Sequence, residues 1–334
     1  MLFMFLSVFL LTFLFIYFVR TYAPKWGLID IPNQRSIHRT STPRGAGVAF
    51  YLAIMLVLSL FKFDFLLHYA WTFMALSFIF LIGLVDDFYN TFPRTKFIVI
   101  AISTLLLSFD EGIITQLHTF FGFDIYLFYF ALPFTIFVVS GFTNALNLID
   151  GLDGLAATIS LIVLSTFFYL GYCYDDTFML LLSGMFIASL LAFLFYNWHP
   201  ASIFMGDSGS LLLGFVISVL SIKSLAYIPP ISILFLGALP ILDTLVVMIR
   251  RKKAGRSFFS ADPCHIHHLF KDFFKGSVPK TVLFLGIIQL IYAFVGLQLT
   301  IEMEQGWILI FFIFNIFVCY RLLDTMIKKQ KRVC

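Results

Sequence analysis

The stretch Asn144-Ala145-Leu146-Asn147-Leu148-Ile149-Asp150-Gly151-Leu152-Asp153-Gly154-Leu155 separates two apolar runs, at residues 126–142 and 156–172. Each run is long enough for a membrane helix, for which about 17 to 25 apolar residues suffice. A carboxylate beside hydrocarbon is costly without a partner and therefore indicates a functional site. A reverse turn is the alternative, because Asp-Gly is typical of turns. A turn explains one Asp-Gly pair, but not two pairs preceded by two asparagines.

The composition indicates a polytopic membrane protein. The 334 residues are 61% hydrophobic and 12% charged, whereas a soluble domain is about 25% charged. We therefore predict an all-α bundle that forms a single membrane domain over residues 1–334, with membrane lipid and no nucleic acid among its partners. At about 20 apolar residues per span, eleven transmembrane helices are predicted, centred near residues 10, 54, 77, 102, 134, 164, 187, 215, 239, 291 and 314.

The basic residues predict the orientation in the membrane. All of the 22 Lys and Arg residues except Lys62 and Lys223 lie in loops 20–46, 86–96 and 250–280 or in the tail from residue 321. By the positive-inside rule the N-terminus faces outward and the C-terminus lies in the cytoplasm, which requires an odd number of helices. We expect residues 2–19 to be retained as a helix and not cleaved as a signal peptide, because no basic residue precedes them.

Two loops on the predicted cytoplasmic side carry charged motifs. Arg44 stands beside Gly45-Ala46-Gly47 before an apolar run, which suits a phosphorylated ligand, although an ordinary basic loop is the alternative. Asp86 and Asp87 end the third apolar run, and adjacent carboxylates stay ionised only beside a cation such as Mg²⁺ or a lysine. If a neighbour raises one pKa instead, that residue is a candidate general base. Helix capping is the alternative, but negative charge is disfavoured at the C-terminal end of a helix.

The segment Phe204-Met205-Gly206-Asp207-Ser208-Gly209-Ser210 precedes another apolar run. Its side chains offer oxygen ligands to a hard cation, and its backbone offers donors to a phosphate. Phe204 could stack on a nucleotide base. A Gly-Asp-Ser-Gly string also occurs near serine-protease nucleophiles, so the segment alone does not decide between these chemistries.

The largest loop, 250–280, contains His265, His267 and His268. With Cys264 they could bind Zn²⁺, but no second Cys/His cluster completes a closed zinc site. We therefore favour phosphate contacts, for which imidazole N–H groups are donors. Asp243, inside the preceding apolar run, is expected to face the bundle interior, where it either assists the site or pairs with a basic group.

Taken together, these stretches resemble the polyprenyl-phosphate N-acetylhexosamine-1-phosphate transferase family. Ile266 interrupts the three consecutive histidines of the related phospho-MurNAc-pentapeptide translocases, so the chain looks like the N-acetylglucosamine branch. Pro43-Arg44-Gly45-Ala46-Gly47 is closer to O-antigen initiators that use N-acetylfucosamine-type sugars. The resemblance runs from about residue 30 to residue 268 and rests on ordered motifs: Asp30-x-Pro32-Asn33 with His38, Asp86-Asp87, Asn144 to Gly154, Phe204-Met205-Gly206-Asp207, and His265-Ile266-His267-His268.

The resemblance implies transfer of an N-acetylhexosamine 1-phosphate, GlcNAc 1-phosphate in the first place, from a UDP-sugar to undecaprenyl phosphate, with release of UMP. The product would start an O-antigen of lipopolysaccharide, a common antigen or a teichoic-acid linkage. UDP-N-acetylfucosamine and UDP-MurNAc-pentapeptide are the alternative donors. Mg²⁺, or Mn²⁺ in its place, would be held mainly by Asp207 with Asp86 and Asp87 close by. Asp86 would take the proton of the lipid phosphate; a phospho-enzyme formed on a carboxylate is the rival scheme.

The resemblance also implies where the substrates bind. The active site would face the cytoplasm in a multi-pass protein of the bacterial inner membrane, built from loops 20–46, 86–96, 147–154, 198–210 and 250–280, with a homodimer as an option. Residues expected around the nucleotide are Asn144, Asn147, Asp150, Asp153, Asn197 and Phe204. Residues expected at the phosphates or the sugar are Lys96, Arg44, His265, His267 and His268.

Two other functional classes are alternatives. A secondary transporter would place its charges and broken helices near the bilayer midplane, often in inverted repeats. Here the polar motifs gather at one face and no repeat is visible in the sequence. An intramembrane metal-dependent hydrolase would release a free product without needing a polyprenyl acceptor.

Overall fold

A computed structural model describes residues 1–32, 41–110, 112–257 and 264–330, without the side chains of residues 299–302. The predicted all-α class is confirmed, because helices dominate these ranges. The helices are α1 (Leu2–Trp26), α2 (Gly47–Phe61), α3 (Phe63–His68), α4 (Ala70–Tyr89), α5 (Pro93–Leu107), α6 (Ala131–Ile149), α7 (Leu155–Cys173), α8 (Thr177–Asn197), α9 (Asp207–Ser224), α10 (Pro230–Leu236), α11 (Ala238–Lys253), α12 (Ile266–Phe273), α13 (Val278–Glu302) and α14 (Gln305–Gln330). The strands are β1 (Ile29–Asp30), β2 (Thr42–Pro43), β3 (Gln116–Phe120) and β4 (Phe123–Tyr126). They form two two-stranded sheets: β1 pairs antiparallel with β2, and β3 pairs with β4.

Every predicted apolar segment is helical, but not every helix is long enough to cross a bilayer. Among the described residues, eight helices are long and apolar enough to do so, namely α1, α4, α6 with its preceding turn, α7, α8, α9, α13 and α14. A ninth span is formed if α10 and α11, which meet at a bend of 83°, are counted together. The segments predicted near residues 54 and 102 are α2 and α5, of 15 residues each. The protein is an all-α polytopic membrane protein, and the count of eleven spans stays a prediction.

The chain divides into two compact units. The N-terminal unit comprises the described residues of 1–116 and 126–227, and the C-terminal unit comprises those of 117–125 and from 228 onward. The acidic motifs and the asparagines belong to the first unit, and the histidines belong to the second. The prediction of a single membrane domain stays a prediction.

In the N-terminal unit, α9 lies among α2, α4, α6 and α7. Its residues from Ser208 to Leu220 are all buried, as expected for a helix that is apolar on every side. Gly83 of α4 allows the closest approach, because a Cβ at this position would lie 2.5 Å from the main-chain oxygen of Asp207. The lack of a side chain at Gly83 therefore brings the end of α4 against the start of α9.

In the C-terminal unit, a glutamine satisfies the backbone at the broken span. Pro240 has no N–H to donate to the C=O of Leu236, four residues earlier, so this carbonyl needs another partner. Gln289 of α13 supplies it: its Nε2 donates to the Leu236 oxygen at 2.7 Å, and its Oε1 accepts from the Leu239 N–H at 3.1 Å. The side chain of Gln289 is fully buried. Such pairing is what allows a helix to break within an apolar environment.

Candidate active site

Three carboxylates meet where α4 ends and α9 begins. Asp86 and Asp87 lie in the last turn of α4, and Asp207 is the first residue of α9. Asp87 is 1% exposed and Asp86 is 8% exposed. Carboxylates so far from water need partners for their charge, and those partners come from three different segments of the chain.

Asp87 binds the start of α9. Its Oδ1 accepts the main-chain N–H of Asp207 at 2.8 Å, and its Oδ2 accepts that of Ser208 at 3.1 Å. The first N–H groups of a helix have no partner within the helix and favour negative charge, so Asp87 acts as an N-terminal cap supplied by another helix. Gly206 makes room for it: its φ is +74°, and a Cβ there would lie 2.6 Å from Asp87 Oδ2.

Lys96 joins the other two carboxylates. It lies in the first turn of α5, and its Nζ is 2.8 Å from Asp86 Oδ2 and also donates to Asp207 Oδ2. Thr91 holds the second oxygen of Asp86, with its N–H at 2.7 Å and its hydroxyl at 2.6 Å. Of the adjacent pair Asp86 and Asp87, the lysine therefore compensates the charge of Asp86, and main-chain N–H groups bind Asp87.

The carboxylates of Asp86 and Asp207 are also predicted ligands of a metal ion. Among the described residues, histidines included, no group of three or more His, Cys, Asp or Glu side chains is placed to hold an ion. Mg²⁺ is usually held by only one or two carboxylates, with substrate phosphates and waters completing its oxygen ligands. Asp86 and Asp207 meet that requirement, because one cationic group already contacts an oxygen of each. The donor set therefore fits Mg²⁺ together with a bound phosphate.

The end of α6 places a row of polar side chains beside this group. Asn144, Asn147 and Asp150 are three residues apart and lie on one side of the helix end. Asn147 Nδ2 donates to Ser210 Oγ of α9 at 2.8 Å. Burial raises the pKa of Asp150 to about 7, and the charges of Asp207, Asp87 and Asp153 raise it further. Asp150 therefore lies within electrostatic range of two of the predicted metal ligands.

Asp153 and Asn197 connect two loops at this end of the unit. Asp153 Oδ2 lies 2.7 Å from Nδ1 of His199 and accepts the Ala201 N–H at 3.1 Å. The buried Asn197 accepts the Gly154 N–H at 2.8 Å and donates to the Ile203 oxygen at 2.9 Å. The amide of Asn197 thus shapes the loops from within, and its predicted contact with the nucleotide stays a prediction.

The first basic loop closes against the segment that precedes α9. Phe204 donates its N–H to the Pro43 oxygen at 2.8 Å and accepts the Ala46 N–H at 3.3 Å. Arg44 donates from its guanidinium to the main-chain oxygen of Asp87. Two residues predicted as ligand contacts, Arg44 and Phe204, are therefore brought to the acidic group. Asn33 and His38, which also carry the resemblance, lie outside the described residues.

In the C-terminal unit, Asp243 fixes the histidine segment. Its Oδ2 is 2.8 Å from Nδ1 of His265, and its Oδ1 accepts the Ile266 N–H at 2.8 Å, at the start of α12. The rings of His265 and His267 are stacked with centroids 5.7 Å apart, and His268 lies beside His267 at 4.2 Å. Asp243 is expected either to assist the site or to pair with a basic group. It pairs with the imidazole of His265, which is itself a predicted site residue. A carboxylate on one ring nitrogen of His265 leaves the other nitrogen for a ligand.

The sequence did not predict Thr91 or His199 as residues of the site, nor did it predict that Gly206 makes room for Asp87. His199 is 46 residues from Asp153 and Gly206 is far from Asp87 in sequence, so no local pattern announces either pair. Thr91 is the exception, because a threonine shortly after a helix that ends in aspartates is a candidate partner for them.

Comparison with known proteins places the chain among membrane transferases. The profile described as glycosyl transferase family 4 matches residues 69–225, which include Asp86, Asp87, Lys96, Asp150 and Asp207. The chain is 36% identical over 314 residues to a probable undecaprenyl-phosphate N-acetylglucosaminyl 1-phosphate transferase of Bacillus subtilis, covering 90% of this chain and 84% of that protein.

Two further relatives are named for different activities. The undecaprenyl-phosphate alpha-N-acetylglucosaminyl 1-phosphate transferase of Escherichia coli K12 is 29% identical over 275 residues, covering 79% of this chain and 74% of that one. A phospho-N-acetylmuramoyl-pentapeptide-transferase of Streptococcus pyogenes is 34% identical over 261 residues, covering 71% and 76%.

Proposed function

Since the chain belongs to glycosyl transferase family 4, we propose that it transfers GlcNAc 1-phosphate from UDP-GlcNAc to undecaprenyl phosphate and releases UMP. The observation that carries the proposal is the joining of Asp86 and Asp207 by the Lys96 ammonium at the N-terminus of α9. This arrangement combines a cation, two carboxylates for a divalent ion and helix N–H groups, which together suit a diphosphate. The relatives of Bacillus subtilis and Escherichia coli carry the same reaction in their names.

In this proposal Asp86 and Asp207 hold Mg²⁺, and Asp87 orients Asp207 through the start of α9. When bound, the ion neutralises the donor diphosphate and stabilises charge that develops at the transferred phosphorus. Lys96, which contacts the same two carboxylates, would pair with a phosphate oxygen of the donor. Asn144, Asn147, Asp153 and Phe204 line the side on which the nucleotide binds.

The acceptor must lose a proton before it attacks. A phosphate oxygen of undecaprenyl phosphate gives its proton to a carboxylate and forms a bond to the sugar-bearing phosphorus. The bond from that phosphorus to the bridging oxygen breaks, and UMP leaves with the electron pair. We favour Asp150 as the proton acceptor, because its pKa of about 7 lies near the operating pH at which a general base works best.

Asp86, to which the resemblance gives the proton, is the alternative base. Its carboxylate already accepts two hydrogen bonds from Thr91 and one from Lys96. These partners suit a residue that positions the Lys96 ammonium better than they suit a general base. A phospho-enzyme on one of these carboxylates is the rival to direct transfer, and an exchange of label between UMP and UDP-GlcNAc without lipid acceptor would reveal it.

We further propose that the reaction takes place at the cytoplasmic face of a bacterial inner membrane and starts a cell-surface glycan. The acidic group lies at the ends of α4, α5 and α9, and Asp86, Asp87 and Lys96 fall within 86–96, one of the stretches that carry the basic residues. The His265–Asp243 pair is proposed to contact the diphosphate or the sugar. A reporter fused after Gln330 should be cytoplasmic, and a signal from the outer side would contradict this orientation.

A second donor is supported by the relative from Streptococcus pyogenes, which is 34% identical and is named for a pentapeptide-bearing substrate.

The deciding assay supplies purified protein with undecaprenyl phosphate, Mg²⁺ and one UDP-sugar at a time, and identifies the lipid product by mass and UMP by chromatography. We expect the GlcNAc-diphospholipid, and none from Asp207→Asn. A product formed only from UDP-MurNAc-pentapeptide or UDP-N-acetylfucosamine would overturn the assignment of the sugar. Free sugar phosphate without lipid would overturn the transferase.

A further inference from the structure

A cavity of about 750 Å³ lies in the C-terminal unit, between the short helix α12 and the last turns of α14. Its volume is in the range of sites that hold small organic molecules, about 300 to 1,000 Å³. Four exposed apolar residues line it, namely Phe273 of α12 and Phe317, Val318 and Leu322 of α14. On a membrane protein such a lining suits an acyl chain.

Basic residues of α14 also line the cavity. Arg321, Thr325 and Lys329 line the cavity and are four residues apart on α14, so they follow one face of the helix over about 12 Å. Both cations are exposed, and the Thr325 hydroxyl donates to the Arg321 carbonyl oxygen within the helix. Two long basic side chains on either side of a hydroxyl can converge on one phosphate group.

The balance of charge around the cavity is positive. Lys328 is paired with Asp324 at 2.7 Å and does not line the cavity. The carboxylate of Asp272 does line it, so the lining side chains carry two positive charges and one negative. Basic pockets beside the ends of membrane helices attract anionic lipid head groups, at about 1 kcal/mol per Lys or Arg near the surface.

Gln330 links the two helices that border the cavity. It lines the cavity from α14, and its Nε2 donates to the oxygen of Leu269 in α12 at 3.1 Å. This bond holds the last turn of α14 against α12.

We propose that this cavity binds an anionic phospholipid. Arg321 and Lys329 hold the phosphate, and Phe317, Val318 and Leu322 pack against an acyl chain. All residues that line the cavity belong to the C-terminal unit, and the proposal does not depend on the transferase activity.

The test measures lipid retention directly. Full-length protein is stripped of lipid, reconstituted with equal amounts of phosphatidylglycerol, phosphatidic acid, phosphatidylcholine and undecaprenyl phosphate, and repurified for native mass spectrometry. We expect one anionic phospholipid per chain, phosphatidylglycerol or phosphatidic acid, to be retained at least about tenfold over phosphatidylcholine, as two cations predict. The pair Arg321→Gln with Lys329→Gln should abolish this preference, and Lys328→Gln, at a lysine that pairs with Asp324 and does not line the cavity, should preserve it.

A further double variant separates chemistry from misfolding. Arg321→Lys with Lys329→Arg keeps both charges and should retain phosphatidylglycerol. Equal retention of phosphatidylglycerol and phosphatidylcholine by the unaltered protein would overturn the proposal, since it would make the cavity an ordinary lipid-facing surface. Retention of undecaprenyl phosphate in place of phospholipid, or undiminished retention by the Gln pair, would also overturn it.

Discussion

The carboxylate of Asp87 receives the main-chain N–H of Asp207 at 2.8 Å, so the end of α4 caps the start of α9 from outside. One acid of the site is thereby used to position another. The bond requires a glycine on each side of it: Gly83 lets the helices approach, and Gly206 leaves space for the Asp87 oxygens.

Gly206→Ala is expected to lose most transferase activity and about 2 to 4 kcal/mol of stability, through backbone strain at φ +74° and a contact of 2.6 Å with Asp87. Gly276→Ala is the control, because Gly276 has φ +86° but open space around its Cβ position. The measurement is thermal unfolding in detergent together with UMP release. Equal losses in both variants would mean that backbone strain alone is responsible.

Lys96→Met is expected to destabilise the Mg²⁺-free protein by about 3 kcal/mol, because it leaves the carboxylates of Asp86 and Asp207 without their cation. Added Mg²⁺ should restore much of the loss if the ion binds the same oxygens. Lys62→Met, at an exposed lysine, should change neither the stability of the Mg²⁺-free protein nor the effect of added Mg²⁺ on it. The melting temperature with and without Mg²⁺ is the readout, and a loss that Mg²⁺ does not reduce would contradict a shared position.

Asp150 should make stability depend on pH. Its folded-state pKa of about 7 exceeds the ordinary value of 3.8, so the folded protein binds the proton more tightly than the unfolded chain. Stability from this residue is therefore full below pH 4 and falls as the pH rises toward 7, by a few kcal/mol. In Mg²⁺-free protein, Asp150→Asn should remove that decline, while Asp64→Asn, at an exposed carboxylate, should leave it. A decline of the same size in Asp150→Asn would show that another group causes it.

The identity of the proton acceptor is expected to appear in the pH dependence of kcat/KM. With Asp150 as the base, the rise in rate near pH 7 disappears in Asp150→Asn and persists, at a lower rate, in Asp86→Asn. The opposite pattern would give the proton to Asp86. Both variants are assayed at saturating Mg²⁺, with UDP-GlcNAc binding measured separately.

Gln289→Leu should destabilise the C-terminal unit by about 2 to 4 kcal/mol, because it removes partners from the Leu236 oxygen and the Leu239 N–H at the break between α10 and α11. Gln298→Leu, at an exposed position of the same helix, is the matched control. Resistance to unfolding in dodecyl sulfate measures the difference. Equal resistance in the two variants would show that the broken span does not need the glutamine.

The sequence allowed the class of fold and the members of the acidic group to be predicted, because hydropathy and the placement of Asp residues beside apolar runs are local signals. The partners within that group are not local. Lys96 reaches Asp207 across 111 residues, and Gln289 reaches Leu236 across 53. Such pairs follow from how closely helices pack, which for α4 and α9 depends on Gly83. Hydropathy also marked α2 and α5 as spans, although each helix ends after 15 residues.

The position of Lys96 has a consequence for inhibitor design. A compound that imitates the donor with an added amine would have to expel an ammonium that two acids already hold. A compound with a strongly acidic group can instead pair directly with the Lys96 ammonium, and this contact does not need Mg²⁺. Leads against this site should therefore be chosen from acids, and their potency should depend less on magnesium than that of the natural donor.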